Sequence, residues 1–511
     1  MTLEDFQKQP FRNGHPAYSD SCFWFGAQPE WTTGEVLLAS CYRALGLSPT
    51  AEGKVDLAEI ESLPGEISSD ALPRSAWEFI FMQALRGPSR PGERSARPQP
   101  QLVPVVPALA NVAGVLGKPR NRWIPGNLAL YTLASGTGLS GFAALKKQFG
   151  SALTTREGDD DAFAVFLEDQ LSAHFRGRDA ARPHELNRRR VQSREDRREP
   201  YAPAEVFALD LRELLLLKRS LTRRQWCALV ESALRLGLVT HVLWICRLNV
   251  ETWQMALEVL AGQAAPGPAE IENRLWQSHV GPRPFLDGGQ QADPHLRRQV
   301  EEYTTARLGI NLLLLAIDEF GGRSTWQLPR EAEAGWSTGK QISCLLSHLM
   351  AHRGLLGPDP KGWAVQKLGE IVDAHPSKVS AESGPPSNLF EFLSYALRRR
   401  VTAEVSLQQH DQGYLLVKTS GKSNSPWVVR PGPVMLLAMC HATCKSMAGA
   451  PATIQDLARH FSYYGVRLAA GDLQTGPIAG DLEALGLMMD SPDAGGGRLI
   501  LAPFSGSASD G

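Results

Sequence analysis

The sequence predicts a mainly α, multi-domain helical protein with one small β-containing segment at about residues 401–430. Three observations carry that expectation. Between residues 204 and 260 apolar side chains return at helical spacing. Trp226, Leu229, Val230, Ala233 and Leu234 fall at i, i+3, i+4, i+7 and i+8, one face of a helix for which Thr222 is the N-cap. From 296 to 319 the apolar positions Leu296, Val300, Tyr303, Ala306, Ile310, Leu313 and Ile317 step by threes and fours. After a helical stretch at 388–400 the period changes to two. Val401, Ala403, Val405 and Leu407 alternate with Thr402, Glu404 and Ser406, as a half-buried strand requires, and 414–419 and 427–430 are its expected partners.

At 511 residues the chain is long enough for several cores. Its 43% apolar and 21% charged residues are ordinary for a globular protein. With 53 basic against 54 acidic residues the net charge is −1, so no global field draws it to nucleic acid or membrane, and any such binding must come from local patches. The 40 Arg against 13 Lys fit a GC-rich bacterial genome. Seven scattered Cys make no disulfide framework. Residues 1–10 lack the basic-then-apolar pattern of a signal peptide, and no apolar run approaches the roughly 20 residues that span a bilayer. The most apolar stretch, 102–116, is broken by Pro104 and Pro107. A cytoplasmic location with no membrane partner is expected.

Composition divides the chain into successive regions. Residues 1–85 form a mixed or helical N-terminal region, and the Pro-, Arg- and Ser-rich 86–104 a linker. Helical residues 105–175 follow, then an Arg-rich linker at 176–203. Residues 204–330 form a helical domain, and 335–432 a helical segment with the small sheet. Residues 433–505 are a C-terminal module, and 506–511 a tail.

Several motif-like runs do not carry the chemistry they suggest. The letters G-x-G-x-x-G at Gly136, Gly138 and Gly141 match a dinucleotide fingerprint, where glycines between strand and helix let phosphate reach free helix N–H groups. Residues 151–155 are too short and weakly apolar for the second strand, so a Gly-rich turn between two helices is expected. Asp159, Asp160 and Asp161 read as a helix start rather than a metal site. Residues 312–319 (LLLLAIDE) spell a Walker B strand, but the nearest phosphate-loop letters, GWSTGKQ at 335–341, follow it and lack Ser/Thr after Lys340. Helical stepping explains the run. The nuclease pattern D…(D/E)-x-K fails because Leu416 stands where the acid before Lys418 is required.

Two basic patches are candidate phosphate contacts. Arg398, Arg399, Arg400, Lys418, Lys422 and Arg430 face only Glu404 and Asp411, a balance of +4. Residues 176–199 hold nine Arg against five acids, including Arg188, Arg189 and Arg190. Cys344, His348 and His352, at i, i+4 and i+8, are a weak metal candidate lying away from the centre of their helix's apolar face. Cys440, His441 and Cys444 form a second loose cluster whose spacing fits no structural zinc pattern. No cofactor is expected.

The C-terminal module is the most legible part. Residues 434–447 form an apolar helix. Thr453 caps the next, with Asp456 three residues on, and Ile454, Leu457, Ala458 and Phe461 supply its buried stripe before Gly465 ends it. Pro477 begins a third helix, with Ile478, Leu482 and Leu485 on one face, that Gly486 terminates. Short strands at 487–490 and 498–502 flank a Gly-rich turn. This order resembles the winged-helix family. The resemblance implies a recognition helix, a wing carrying Arg498, and DNA binding through the third helix. From 468 to 497, however, there is no Lys or Arg while five residues are acidic, and such a helix would be repelled by phosphate.

The expected function is therefore a non-enzymatic adaptor or scaffold of a bacterial multi-protein system, with the module docking a partner protein. The resemblance also suggests an antiviral-defence or DNA-handling setting. A DNA-binding protein using the patches at 398–430 and 176–198, with Arg498 in the wing, is the alternative. An enzyme with a dispersed site is a third.

Overall fold

The computed structural model describes residues 2–11, 37–48, 57–67, 72–90, 99–112, 125–177, 182–186, 191, 202–280, 283–322, 337–400, 411–420, 422, 424–490 and 498–504. Helix dominates them, as the apolar periods predict. The elements that position the rest are α1 (Leu37–Ala44), α2 (Pro125–Leu153), α3 (Ala162–His174), α4 (Pro203–Leu216) and α5 (Arg223–Leu260). Then follow α6 (Ala292–Gly321), α7 (Thr338–His352), α8 (Gly384–Leu397) and α9 (Pro433–Ser446).

Helix α5 is the axis of the molecule. It starts on a capping box, in which the Thr222 side chain accepts from the Gln225 N–H and the Gln225 side chain accepts from the Thr222 N–H. Helices α1, α2, α4, α6, α7, α8 and α9 all pack on it. Surrounded this way, α5 needs apolar residues on every side, which is why its pattern loses amphipathicity toward the middle. By length and composition α2 and α5 could each cross a membrane, which corrects the expectation that no apolar run approaches that size. The most apolar stretch of α5 is 94% buried inside the chain itself, the mark of a core helix.

The Gly-rich letters fall within helix on both sides, and α2 kinks where Gly138 takes φ 66. An added Cβ on Gly136 would lie 2.0 Å from the Ala204 carbonyl oxygen, so this glycine lets α2 and α4 cross closely. Residues 312–319 lie inside α6.

The aspartate triplet is wholly engaged. Asp161 caps α3 by accepting from the Ala164 N–H at 3.0 Å, and it also accepts from the Arg223 N–H at the start of α5 at 2.7 Å. Asp160 is buried between Lys218 at 2.9 Å and Arg223 at 3.1 Å. Arg223 further donates to the carbonyls of Val105, Ala152 and Leu153 and to the Tyr42 hydroxyl. One buried guanidinium thus joins α1, the end of α2 and the start of α5.

Two expected linkers are not bare. Residues 86–104 carry a hairpin of β1 (Arg86–Arg90) and β2 (Gln99–Leu102), with Arg86 opposite Leu102 and Gly87 opposite Gln101. In the Arg-rich stretch Val191 is buried, and the His184 N–H donates to the Ala44 carbonyl at 2.8 Å. A two-residue strand β3 (Leu286–Asp287) precedes α6. Of the small sheet, β4 (Leu416–Lys418) and β5 (Trp427–Val429) pair antiparallel, with Val417 opposite Val428. The strand expected from Val401 to Leu407 lies outside the described residues.

The C-terminal elements after α9 are β6 (Ala452–Thr453), α10 (Ile454–Tyr463), β7 (Val466–Arg467), α11 (Ala470–Gln474), α12 (Pro477–Ala484), β8 (Met488–Asp490) and β9 (Arg498–Ile500). The Thr453–Asp456 pair forms a full capping box, and Gly465 ends the turn after α10 at φ 71. Strands β6, β9 and β8 make an antiparallel sheet in that order. Sequence periodicity missed β6, β7 and α11, which are too short to show a period.

This module is fastened to the helical body. Strand β7 pairs in parallel with β3, Leu286 opposite Val466 and Asp287 opposite Arg467. His460 and Tyr464 both reach the Asp210 carboxylate of α4, each at 2.7 Å, and all three side chains are buried.

Candidate functional site

The candidate phosphate contacts at 398–430 do not form one open basic face. Arg398 donates to Asp293 at 2.5 Å and lies 4.8 Å over the Trp427 ring, which Lys418 also approaches at 5.5 Å. Arg399 sits 5.4 Å over Tyr414. Arg400 is buried and donates to the Tyr395 carbonyl at 2.6 Å. Arg430 pairs with Asp481 of α12 at 3.0 Å, and Arg498 pairs with Glu483 at 3.3 Å. Lys422 is exposed. Arg188, Arg189 and Arg190 lie outside the described residues. The structure therefore brings Arg398 and Lys418 together on one tryptophan, while Arg398, Arg430 and Arg498 each already hold a carboxylate.

The Cys/His stripe does not assemble as a ligand set. His348 is buried, and its ring lies 4.3 Å from that of His352, whose Nδ1 is 3.0 Å from the His348 carbonyl oxygen. Eight residues along a helix rise about 12 Å, so Cys344 and His352 are too far apart to share an ion. Among the described residues no group of three or more His, Cys, Asp or Glu side chains is placed to hold a metal. In the second cluster Cys440 and His441 are both buried, and burial pushes His441 down to about 4.

A different region has the shape of a binding site. A cleft of about 720 Å³ opens between the first turns of α5, the hairpin ends at Arg86 and Leu102, residues 411–413, α9 and Phe504. That volume is in the range of small-molecule sites, roughly 300–1,000 Å³. Its floor is Arg235, which donates to Asp411 and, at 3.1 Å, to Glu231. Burial works against the charge on Arg235, but Asp411 and Glu231 outweigh it and hold the guanidinium ionised. Ser232 donates to the Gly413 carbonyl at 3.4 Å and so fixes the adjoining wall.

Three more arginines line the cleft: Arg86, Arg224 and Arg400. Arg224 donates to the Ala84 carbonyl, and burial pushes its pKa down. Cys227 also lines it, but burial pushes the thiol up to about 11, which keeps it protonated and a poor nucleophile at neutral pH. With that thiol and two carboxylates already bound to Arg235, the arrangement suits holding an anion better than bond-making. Sequence reasoning missed the cleft because Arg235 and Asp411 are 176 positions apart and no local pattern joins them. The Arg-rich composition was the only signal. Comparison with protein-family models, with curated proteins and with solved structures finds no match.

Proposed function

We propose that the chain is a non-enzymatic adaptor whose C-terminal module is a winged helix that holds a partner protein. The observation that carries this reading is an apolar stripe on the outer face of the module's sheet. In the β8–β9 register Met489 is opposite Leu499, and Leu501 follows two residues on, on the same side. Met489 is 48% and Leu501 40% exposed, whereas Ile500, on the other face, is buried. An apolar stripe bordered by polar residues is what a protein partner covers.

Electrostatics favour the same reading. Helix α12, the recognition helix in a winged-helix fold, contains no Lys or Arg, and its acids Asp481 and Glu483 take up Arg430 and Arg498. A phosphate approaching it meets carboxylates and already paired arginines. The pairing of β7 with β3 and the anchoring of His460 and Tyr464 on Asp210 also make the module part of a rigid body, suited to presenting a fixed face.

A photocrosslinking residue placed at Met489 in cells tests the idea, with one at Phe79, which is 64% exposed and lies on the short helix Arg74–Phe79, as control. The expected result is a discrete protein adduct from position 489 that Leu501→Asp removes. Duplex DNA binding at about 50 mM salt that weakens steeply as salt rises, with no adduct at 489, would replace the adaptor reading with the DNA-binding one.

A further inference from the structure

A second space, a groove of about 490 Å³, lies between α6, the turn at residues 380–382 and the length of α8. We infer that it binds a linear polyamine, a chain of methylene groups carrying ammonium groups at intervals. This inference does not rest on the adaptor reading. Glu301 of α6 stands on one wall, Glu382 at the near end of the other, and Ser394 toward the far end of α8.

These three side chains lack hydrogen-bond and ion-pair partners among the described residues. Burial pushes the Glu301 carboxyl up, and Glu302 and Glu382 add to the push while Arg297 opposes it. Ser394 is 1% exposed, and its hydroxyl has no partner. A buried hydroxyl of this kind is costly unless something completes its bonding. The two arginines of the groove are already committed. Arg297 donates to the Ser380 and Ala381 carbonyls at 3.1 and 2.9 Å and lies 4.4 Å over the Phe390 ring, and Arg398 is held by Asp293. Glu391 lines the same wall but is already engaged, so the carboxylates open to a ligand are Glu301 and Glu382.

Spacing selects the ligand. Helix α8 begins at Gly384, two positions after Glu382, and from there to Ser394 it rises about 15 Å. One metal ion or one ammonium group cannot serve both ends of such a groove. Among the described residues no group of three or more His, Cys, Asp or Glu side chains is placed to hold a metal, so acids spread along the walls do not make the oxygen shell a hard cation needs. A polyamine sets N–H donors at intervals along its length, with three on each terminal ammonium. Its methylenes cover the apolar surface of Ala381 and Phe390 between them, as the stem of a lysine side chain does.

Calorimetric titration of the full chain with spermine, spermidine, propylamine and magnesium chloride, in buffer of about 50 mM salt, tests the proposal. At least one of the two polyamines should bind at one per chain and about tenfold or more tighter than propylamine or magnesium. Glu301→Gln should weaken that binding by about tenfold, as expected for loss of a charge-assisted bond, and Ser394→Ala by about threefold. Glu78→Gln, on a helix outside the groove, should change nothing. No binding of either polyamine overturns the proposal, as does equal binding of propylamine or magnesium, or an unchanged affinity in Glu301→Gln. A Lys-Lys-Lys peptide that binds about tenfold tighter than spermine also overturns it and gives the groove to a basic protein segment. Should Glu301→Gln unfold, Glu382→Gln, at an exposed position, takes its place and must weaken binding.

Discussion

The Tyr464 hydroxyl donates to Asp210 at 2.7 Å across 254 positions of sequence, and His460 lies 2.7 Å from the same carboxylate oxygen. One buried carboxylate thus ties α10 of the C-terminal module to α4 of the helical body. Burial and Asp210 push Tyr464 well above the usual phenol range, so it remains a neutral donor. Tyr464→Phe should lower the unfolding free energy by about 1.5–3 kcal/mol, the value of a hydrogen bond to a charged group. Asp210→Ala should cost more, because it strands both the phenol and the imidazole. Urea denaturation measures both, and a loss below about 0.5 kcal/mol for Tyr464→Phe would show that the module is not held there.

Arg223 makes a second prediction. It is buried, pairs with Asp160 and donates to three carbonyls and a phenol. Arg223→Met leaves the buried Asp160 with Lys218 as its remaining ion-pair partner and strands three carbonyls and a phenol, which should destabilise by about 3–5 kcal/mol. Replacing Asp160 by Leu in the same chain should add to that loss, since it also strands the buried Lys218 that pairs with Asp160 at 2.9 Å. Denaturation midpoints of the single and double variants decide the matter; equal midpoints for both would contradict it.

The glycines of α2 make a third. Gly136→Ala places a methyl 2.0 Å from the Ala204 carbonyl oxygen, so α2 and α4 must separate, at a cost of about 1–3 kcal/mol or more. Gly138→Ala forces a side chain into φ 66, ψ 167, a region essentially reserved for glycine, at about 1–3 kcal/mol. Thermal unfolding should show both losses. A Gly136→Ala variant as stable as the parent would mean that the helices do not cross at this point.

Acid should destabilise the fold through two buried histidines. Burial pushes His241 down to about 3 and His441 down to about 4 from an ordinary value of 6.5. Below about pH 6.5 the unfolded chain protonates both, while the folded chain keeps them neutral until about pH 3–4. The unfolded state therefore binds more protons in that window, and stability rises with pH across it. The contribution is complete above about pH 7 and lost progressively on acidification toward pH 4. His241→Leu should flatten the measured slope between these limits. An unchanged slope in the variant would assign the acid sensitivity to other groups.

The local rules were legible in the sequence where a signal repeats within a few residues. The helical runs through Trp226–Leu234 and Leu296–Ile317, the Thr222 and Thr453 caps and the Pro477 start all appear as read. Spacing, capping and proline geometry act over one or two turns, and helices of this length display them many times over. The two-residue strands β3, β6 and β7 repeat nothing and were invisible.

The sequence by itself thus determined a mainly helical chain, the apolar faces of its long helices and the Thr222 and Thr453 caps, and it showed that the G-x-G-x-x-G and Walker-like letters lack their required context. Only the tertiary structure decided what the charged residues do. Arg398 and Arg430 read as parts of one basic patch, and Arg498 as the basic residue of the wing, until packing sets each beside a carboxylate, Asp293, Asp481 and Glu483. Arg235, with no motif around it, becomes the floor of the cleft because Asp411 arrives from 176 positions away. The physical reason is range: backbone periodicity is set by neighbours along the chain, whereas the partner of a charge is set by whichever distant segment the apolar core brings alongside it.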